Sequence, residues 1–133
     1  MRLVLPLVVA VLIACIGGCR TVPIQDVRNT PLGTAPSTNL NIQEVSKAIW
    51  AAGAKLGWVI KEVRPGELTG TLSLRRHVAV VTITHDTSTF NITYKDSQNL
   101  LQQGQEIHRN YNRWVQNLVK EIQTQTALVS ARR

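Results

Sequence analysis

The chain predicts a two-layer α+β domain: a four-stranded antiparallel sheet with two helices on one face, in the order α-β-β-β-β-α. Two observations predict it. Apolar residues recur at helical spacing near both ends of the region 40–127, and between those ends the period switches to two over consecutive short segments.

The first helix opens at Asn41-Ile42-Gln43-Glu44, which has the form of a capping box, with Leu40 and Val45 placed as a hydrophobic staple. Ile42, Val45, Ala48, Ile49, Ala52 and Leu56 continue its apolar stripe, and Gly57 supplies a C-terminal stop. Trp58 to Val63 reads as a strand and Pro65-Gly66 as the turn after it. Leu68, Gly70, Leu72 and Leu74 then alternate with Thr69, Thr71, Ser73 and Arg75, the pattern of a strand with one dry face. Arg75-Arg76 mark the tight connection to the next strand, His77 to His85, in which Ala79, Val81 and Ile83 are expected inward. Phe90, Ile92 and Tyr94 form the fourth strand. Ile107, Tyr111, Trp114, Val115, Leu118 and Ile122 fall on one stripe of a long helix at about 105–127, with Arg109, Arg113 and Lys120 toward its other side.

Ahead of this domain the composition changes twice. Met1-Arg2 is followed by an apolar run from Leu3 to Ala14, the charged and hydrophobic regions of a secretory signal. The run breaks at Gly17-Gly18 and meets Arg20, which is short of the roughly 20 apolar residues a spanning helix needs. Ile16-Gly17-Gly18-Cys19 resembles the lipobox of bacterial lipoproteins, in which a thiol accepts diacylglycerol and small residues admit the peptidase. Leu12-Ile13-Ala14-Cys15 is a weaker second match. Cleavage before Cys19 removes Cys15, leaves no free thiol, and lowers the formal charge from +7 by the one unit of Arg2. Residue 20 is arginine, not the aspartate that retains enteric lipoproteins at the inner membrane, so the resemblance favours the outer membrane, facing the periplasm.

Thr21 to Thr38, with Pro23, Pro31, Pro36 and Gly33, has the composition of a linker, which as a coil would hold anchor and domain about 25 Å apart. The expected organisation is thus a signal peptide at 1–18, lipidated Cys19 and linker to 38, one domain at 39–128 and a frayed basic tail at 129–133.

No arrangement of residues announces catalysis. His77 and His85 share a face of one strand but lie roughly 26 Å apart, too far for one metal. Asp96-Ser97 has no histidine oriented beside it by spacing and no nucleophile elbow around it. Neither a metal site nor a cofactor is expected. Asp96, Asn99, His108 and Asn112 are expected as a structural polar cluster, with His108 and Asn112 tying down the loop at 96–101. Arg75, Arg76, Arg109, Arg113 and Lys120 form the candidate binding surface. A basic surface at a membrane draws anionic lipid or glycolipid, while nucleic acid is excluded by the address and by the lack of aromatic residues interleaved with the charges.

Gly70-Thr71-Leu72 with Arg75 and His77, Tyr94-Lys95-Asp96-Ser97 with Asn99-Leu100, and Ile107-His108 with Tyr111-Asn112, Trp114 and Asn117-Leu118 resemble a family of small proteobacterial lipoproteins without an assigned activity. The resemblance covers about 40–125 and implies an α-β-β-β-β-α lipoprotein domain with no catalytic residues. The function expected is that of a non-enzymatic, lipid-anchored accessory module for another envelope protein, with anionic lipid as the alternative partner and a hydrolase or metal protein as a third reading.

Overall fold

The computed structural model describes residues 20–35 and 38–133. The residues expected as signal peptide, 1–18, and Cys19 lie outside them. The elements are β1 (Thr21–Pro23), β2 (Val27–Pro31), α1 (Ile42–Leu56), β3 (Trp58–Arg64), β4 (Glu67–Leu74), β5 (His77–His85), β6 (Thr89–Gln98), β7 (Glu106–His108) and α2 (Asn110–Ala131). β2-β6-β5-β4-β3 form a five-stranded antiparallel sheet, and β1 pairs with β7 in a separate two-stranded ribbon. The α+β class and the two helices are as expected; the sheet has five strands, not four.

α1 forms for the reasons its sequence announces. The Asn41 side chain accepts the Glu44 N–H at 2.9 Å, and the Glu44 carboxylate accepts the Asn41 N–H at 2.9 Å. This satisfies two of the orphan donors at a helix start. Leu40 and Val45 are both buried. Gly57 ends the helix with φ 85°, a left-handed cap that costs glycine nothing. The inward faces of β3 to β6 carry Trp58, Ile60, Leu68, Leu72, Ala79, Val81, Ile83, Phe90 and Ile92, all buried beneath the helices with Val45, Ile49, Tyr111, Val115, Leu118 and Ile122. Leu74 departs from the expected pattern: it ends β4 before the Arg75 turn and stands 43 % exposed. The opposite sheet face, with Val59, Thr69, Thr71, Val80, Thr82 and Thr93, is covered by no element among the described residues and is exposed or half-buried throughout.

The largest correction concerns residues 21–38, expected as a linker. Their first part is folded. Thr21 pairs with His108 in β1, and Thr30 pairs with Phe90 in β2. Asn29, at φ 50°, accommodates a register shift between Val27 and Thr30, and its N–H donates to the Asn91 side chain at 2.8 Å. Val27 and Leu32 enter the core. The segment then runs along α2, where polar side chains receive it: Gln123 Nε2 donates to the Pro31 carbonyl at 3.0 Å, and the Thr126 hydroxyl accepts the Gly33 N–H at 2.9 Å. Linker composition conceals a strap.

Two further boundaries move. Residues 106–108 form β7 rather than the start of the last helix, because their backbone is claimed by β1 and by Leu100, whose carbonyl accepts the His108 N–H at 2.7 Å. At the other end α2 runs on to Ala131, and Arg133 bonds the Asn39 carbonyl at 2.7 Å and the Glu44 carboxylate. The expected frayed tail is mostly helix, pinned at its tip to the start of α1.

Candidate functional site

The structure divides the expected polar cluster into two ties. Asn112, buried on α2, accepts the Gln25 N–H at 3.1 Å and donates to the Pro23 carbonyl at 3.0 Å. It therefore holds the N-terminal strap and not the 96–101 loop. That loop is held by the Leu100 carbonyl on β7 and by Asn99, whose amide donates to the Arg76 carbonyl at 2.7 Å. Asp96 joins neither tie; its carboxylate accepts the neighbouring Ser97 N–H at 2.8 Å. Replacing Asn112 with alanine is expected to cost about 2 kcal/mol, because two strap groups lose their partner at once. Faster amide exchange confined to residues 20–26 would check that assignment; uniform exchange would refute it.

The binding-surface residues are likewise divided. Arg75 and Arg76 are exposed at the β4–β5 turn, with Arg75 at φ 58°. Arg109 precedes the first turn of α2, Arg113 lies one turn on, and Lys120 about 16 Å further along the helix than Arg109, all three exposed. Arg109 shares a recess of about 350 Å³ with Arg20, His77, Asn99, Leu101 and His108. The sequence reading left Arg20 out of the surface, since an arginine inside a linker has no fixed neighbours. Arg20 is fixed here because its carbonyl accepts the Arg109 N–H at 3.0 Å.

Two imidazoles floor this recess. His77 and His108 stack with centroids 6.4 Å apart, and Trp114 lies 6.3 Å from His77. His77 Nδ1 is 2.7 Å from the Asn99 carbonyl, so that nitrogen carries the proton and donates. His108 Nδ1 accepts the Asn110 N–H at 3.2 Å, which leaves its proton on Nε2. Partial burial, and then repulsion within a cluster holding Arg109, His77 and Arg20, hold His108 below the ordinary imidazole range. The residues considered for a hydrolase are not assembled: the Ser97 hydroxyl bonds Tyr94 at 2.8 Å, while His77 bonds Asn99. No group of three or more potential metal ligands occurs among the described residues.

A serine–histidine pair does occur elsewhere. Ser46 Oγ is 2.8 Å from His85 Nε2, and His85 Nδ1 is 3.0 Å from the Asp86 carbonyl. With Nδ1 donating to that carbonyl, Nε2 accepts the Ser46 hydroxyl proton, the sense needed to activate a nucleophile. Both side chains are only 8 % exposed, and the third member is a peptide carbonyl rather than a carboxylate. The Asp86 carboxylate is committed to the Thr89 and Ser88 N–H groups, which hold it below its usual range. The pair clamps α1 to the end of β5. His85 ends β5, as its place in the expected strand has it; the sequence signal for its burial is Ser46, which interrupts the apolar flank of α1 at a position facing the sheet.

The remaining feature is the sheet edge at β3. Among the described residues this strand pairs on one side only, with β4. Trp50 on α1 is 59 % exposed beside it, and Val59 and Val63 on the strand are 59 % and 54 % exposed. Trp50 and Ile60 line two shallow recesses between α1 and β3, one reaching Lys47 and Leu68 and the other Ala54 and Val59. Apolar groups therefore flank the open edge on both faces of the sheet. No helix among the described residues is long and apolar enough to cross a membrane. Comparison with family models, with curated proteins and with solved structures finds no match to this chain.

Proposed function

We propose that this chain is a non-enzymatic bacterial envelope lipoprotein, anchored through Cys19, whose domain binds an extended segment of another envelope protein along β3. The observation that carries this reading is the β3 edge, unpaired among the described residues, seven residues long and flanked by Trp50, Val59 and Val63. An open edge presents alternating N–H and C=O groups that an added strand satisfies. Side chains of such a strand alternate in direction. One set would enter the recesses beside Trp50, and the other would lie along Val59 and Val63 on the open sheet face. The edge thus offers the open sheet face a mode of recognition.

The lipid-anchor part rests on the lipobox at Ile16–Cys19, and the fold adds a consequence. The strap begins at Arg20, so an acylated Cys19 would hold the domain directly against the bilayer rather than on a tether of about 25 Å. The outer membrane remains the favoured location because Arg20 follows the cysteine.

The test is site-specific photocrosslinking in intact cells with the probe at Val59, at Trp50 and, as a control, at Leu128. One dominant protein adduct at 59 and 50, absent at 128, is expected. Val59→Lys with Val63→Lys should reduce its recovery at least tenfold, because charge on an edge opposes strand addition. Unchanged recovery from that variant, with an unchanged melting temperature, would place the contact elsewhere.

A further inference from the structure

We propose that the recess formed by Arg20, His77, Asn99, Leu101, His108 and Arg109 binds the phosphate of an anionic phospholipid headgroup in the membrane that carries the domain. The site is cationic by construction. Two arginines and two histidines line it, and no Asp or Glu does among the described residues. Among the described residues neither Arg20 nor Arg109 has a salt-bridge partner to neutralise it. The two arginines are held together by backbone, through the Arg109 N–H and the Arg20 carbonyl at 3.0 Å, so their convergence does not depend on flexible side chains alone. Arg76 borders the site through its carbonyl bond to Asn99. With His108 Nδ1 occupied by Asn110, its proton is on Nε2, available as a donor.

The rim argues for a lipid rather than a free ion. Leu101 is 55 % exposed and sits at φ 54°, a left-handed conformation that a bulky residue rarely adopts. Asn99 is also left-handed at φ 56°, so the two residues on either side of buried Leu100 are both turned this way. The result is an unburied leucine held outward beside a cationic recess, with Leu74, 43 % exposed, at the end of β4 next to Arg75 and Arg76. Apolar side chains that enter the acyl boundary among basic groups that meet phosphates are the composition of an interfacial contact. The placement rests on the anchoring reading: Cys19 is one residue from Arg20, so acyl chains on it would begin about 4 Å along the chain from the recess.

The test uses the full lipidated protein in nanodiscs of phosphatidylcholine, with and without phosphatidylglycerol, and a photocrosslinker at Leu101. The phosphatidylglycerol adduct is expected in at least fivefold excess over its share of the bilayer. Arg20→Gln with Arg109→Gln should lower that excess to about one, since each basic group at an anionic surface contributes about a fivefold factor. Arg20→Lys with Arg109→Lys should retain most of it. Both positions are exposed, so melting temperatures should stay level. Equal labelling of the two lipids would overturn the proposal, as would enrichment that survives the glutamine pair. Loss of enrichment on adding 20 mM inorganic phosphate at constant ionic strength would overturn the headgroup assignment in favour of a free-phosphate site. The mass of the N-terminal peptide reads the anchor separately: lipidated Cys19 without enrichment overturns the recess alone, and unmodified Cys19 overturns both.

Discussion

Replacing Gly33 with alanine is expected to destabilise the domain by about 3 kcal/mol, the upper end for overpacking a site that cannot relax. A Cβ at this position would stand 2.0 Å from the Gln123 carbonyl oxygen and 2.8 Å from its carbon. Both atoms belong to the backbone of α2 and cannot rotate aside. The strap must lift instead, breaking the Gly33 bond to Thr126 and straining the Gln123 bond to Pro31. Thermal unfolding should show a fall of roughly 10 °C. The sign is what makes the experiment informative. In a flexible linker the same substitution would be neutral or stabilise by about 0.4–1 kcal/mol, by reducing the freedom of the unfolded chain. A melting temperature that stays level or rises would mean that residues 31–35 do not pack on α2.

Phe90→Ala should cost more, about 4 kcal/mol. Phe90 is fully buried in β6, opposite Thr30 of β2 on one side and His85 of β5 on the other. Its removal leaves a cavity where the strap, the sheet and the helices meet. Part of the cost is lost transfer energy, and part is the void that a three-way junction cannot close. Phe90→Leu should cost only about 1 kcal/mol, since most of the volume is kept. Urea unfolding midpoints with unchanged slopes would measure both. Equal losses for the two variants would mean that aromatic geometry, not volume, matters at this junction.

These two positions differ in how they could be foreseen. Phe90, Ile92 and Tyr94 alternate with polar residues, so the inward set of β6 is legible from period alone, as are Ala79, Val81 and Ile83 in β5. The cap, stripe and stop of α1 are equally local, and each is realised where the residues place it. Gly33 carries no such signal. Prolines and small polar residues around it match a linker, because a strap held by side chains of another element needs few apolar groups of its own. Its reason lies 90 residues away, in the backbone of Gln123.

The candidate surfaces follow the same division. Arg109 was visible as a charge on a helix flank, but its convergence with Arg20 depends on a backbone bond that closes only when β1 meets β7. Asn112 was visible as a polar residue out of place on α2; which segment it holds was not, since a side-chain amide satisfies any passing backbone equally well. The exposure of Val59 and Val63 is of a third kind. Both read as ordinary strand residues, and only the order of strands shows that β3 lies at the edge, with no neighbour beyond it among the described residues.

By itself the sequence determined the class of fold, the helices and the inward face of each central strand, because these depend on periodicities that a short segment carries within itself. Tertiary structure alone decided that 21–35 is part of the domain, that β3 is an open edge, and that Arg20, His77, His108 and Arg109 share one recess. Each of those is a pairing between distant segments. Such pairings are fixed by which unsatisfied backbone groups and buried faces meet on collapse, a property of the whole chain rather than of any stretch of it.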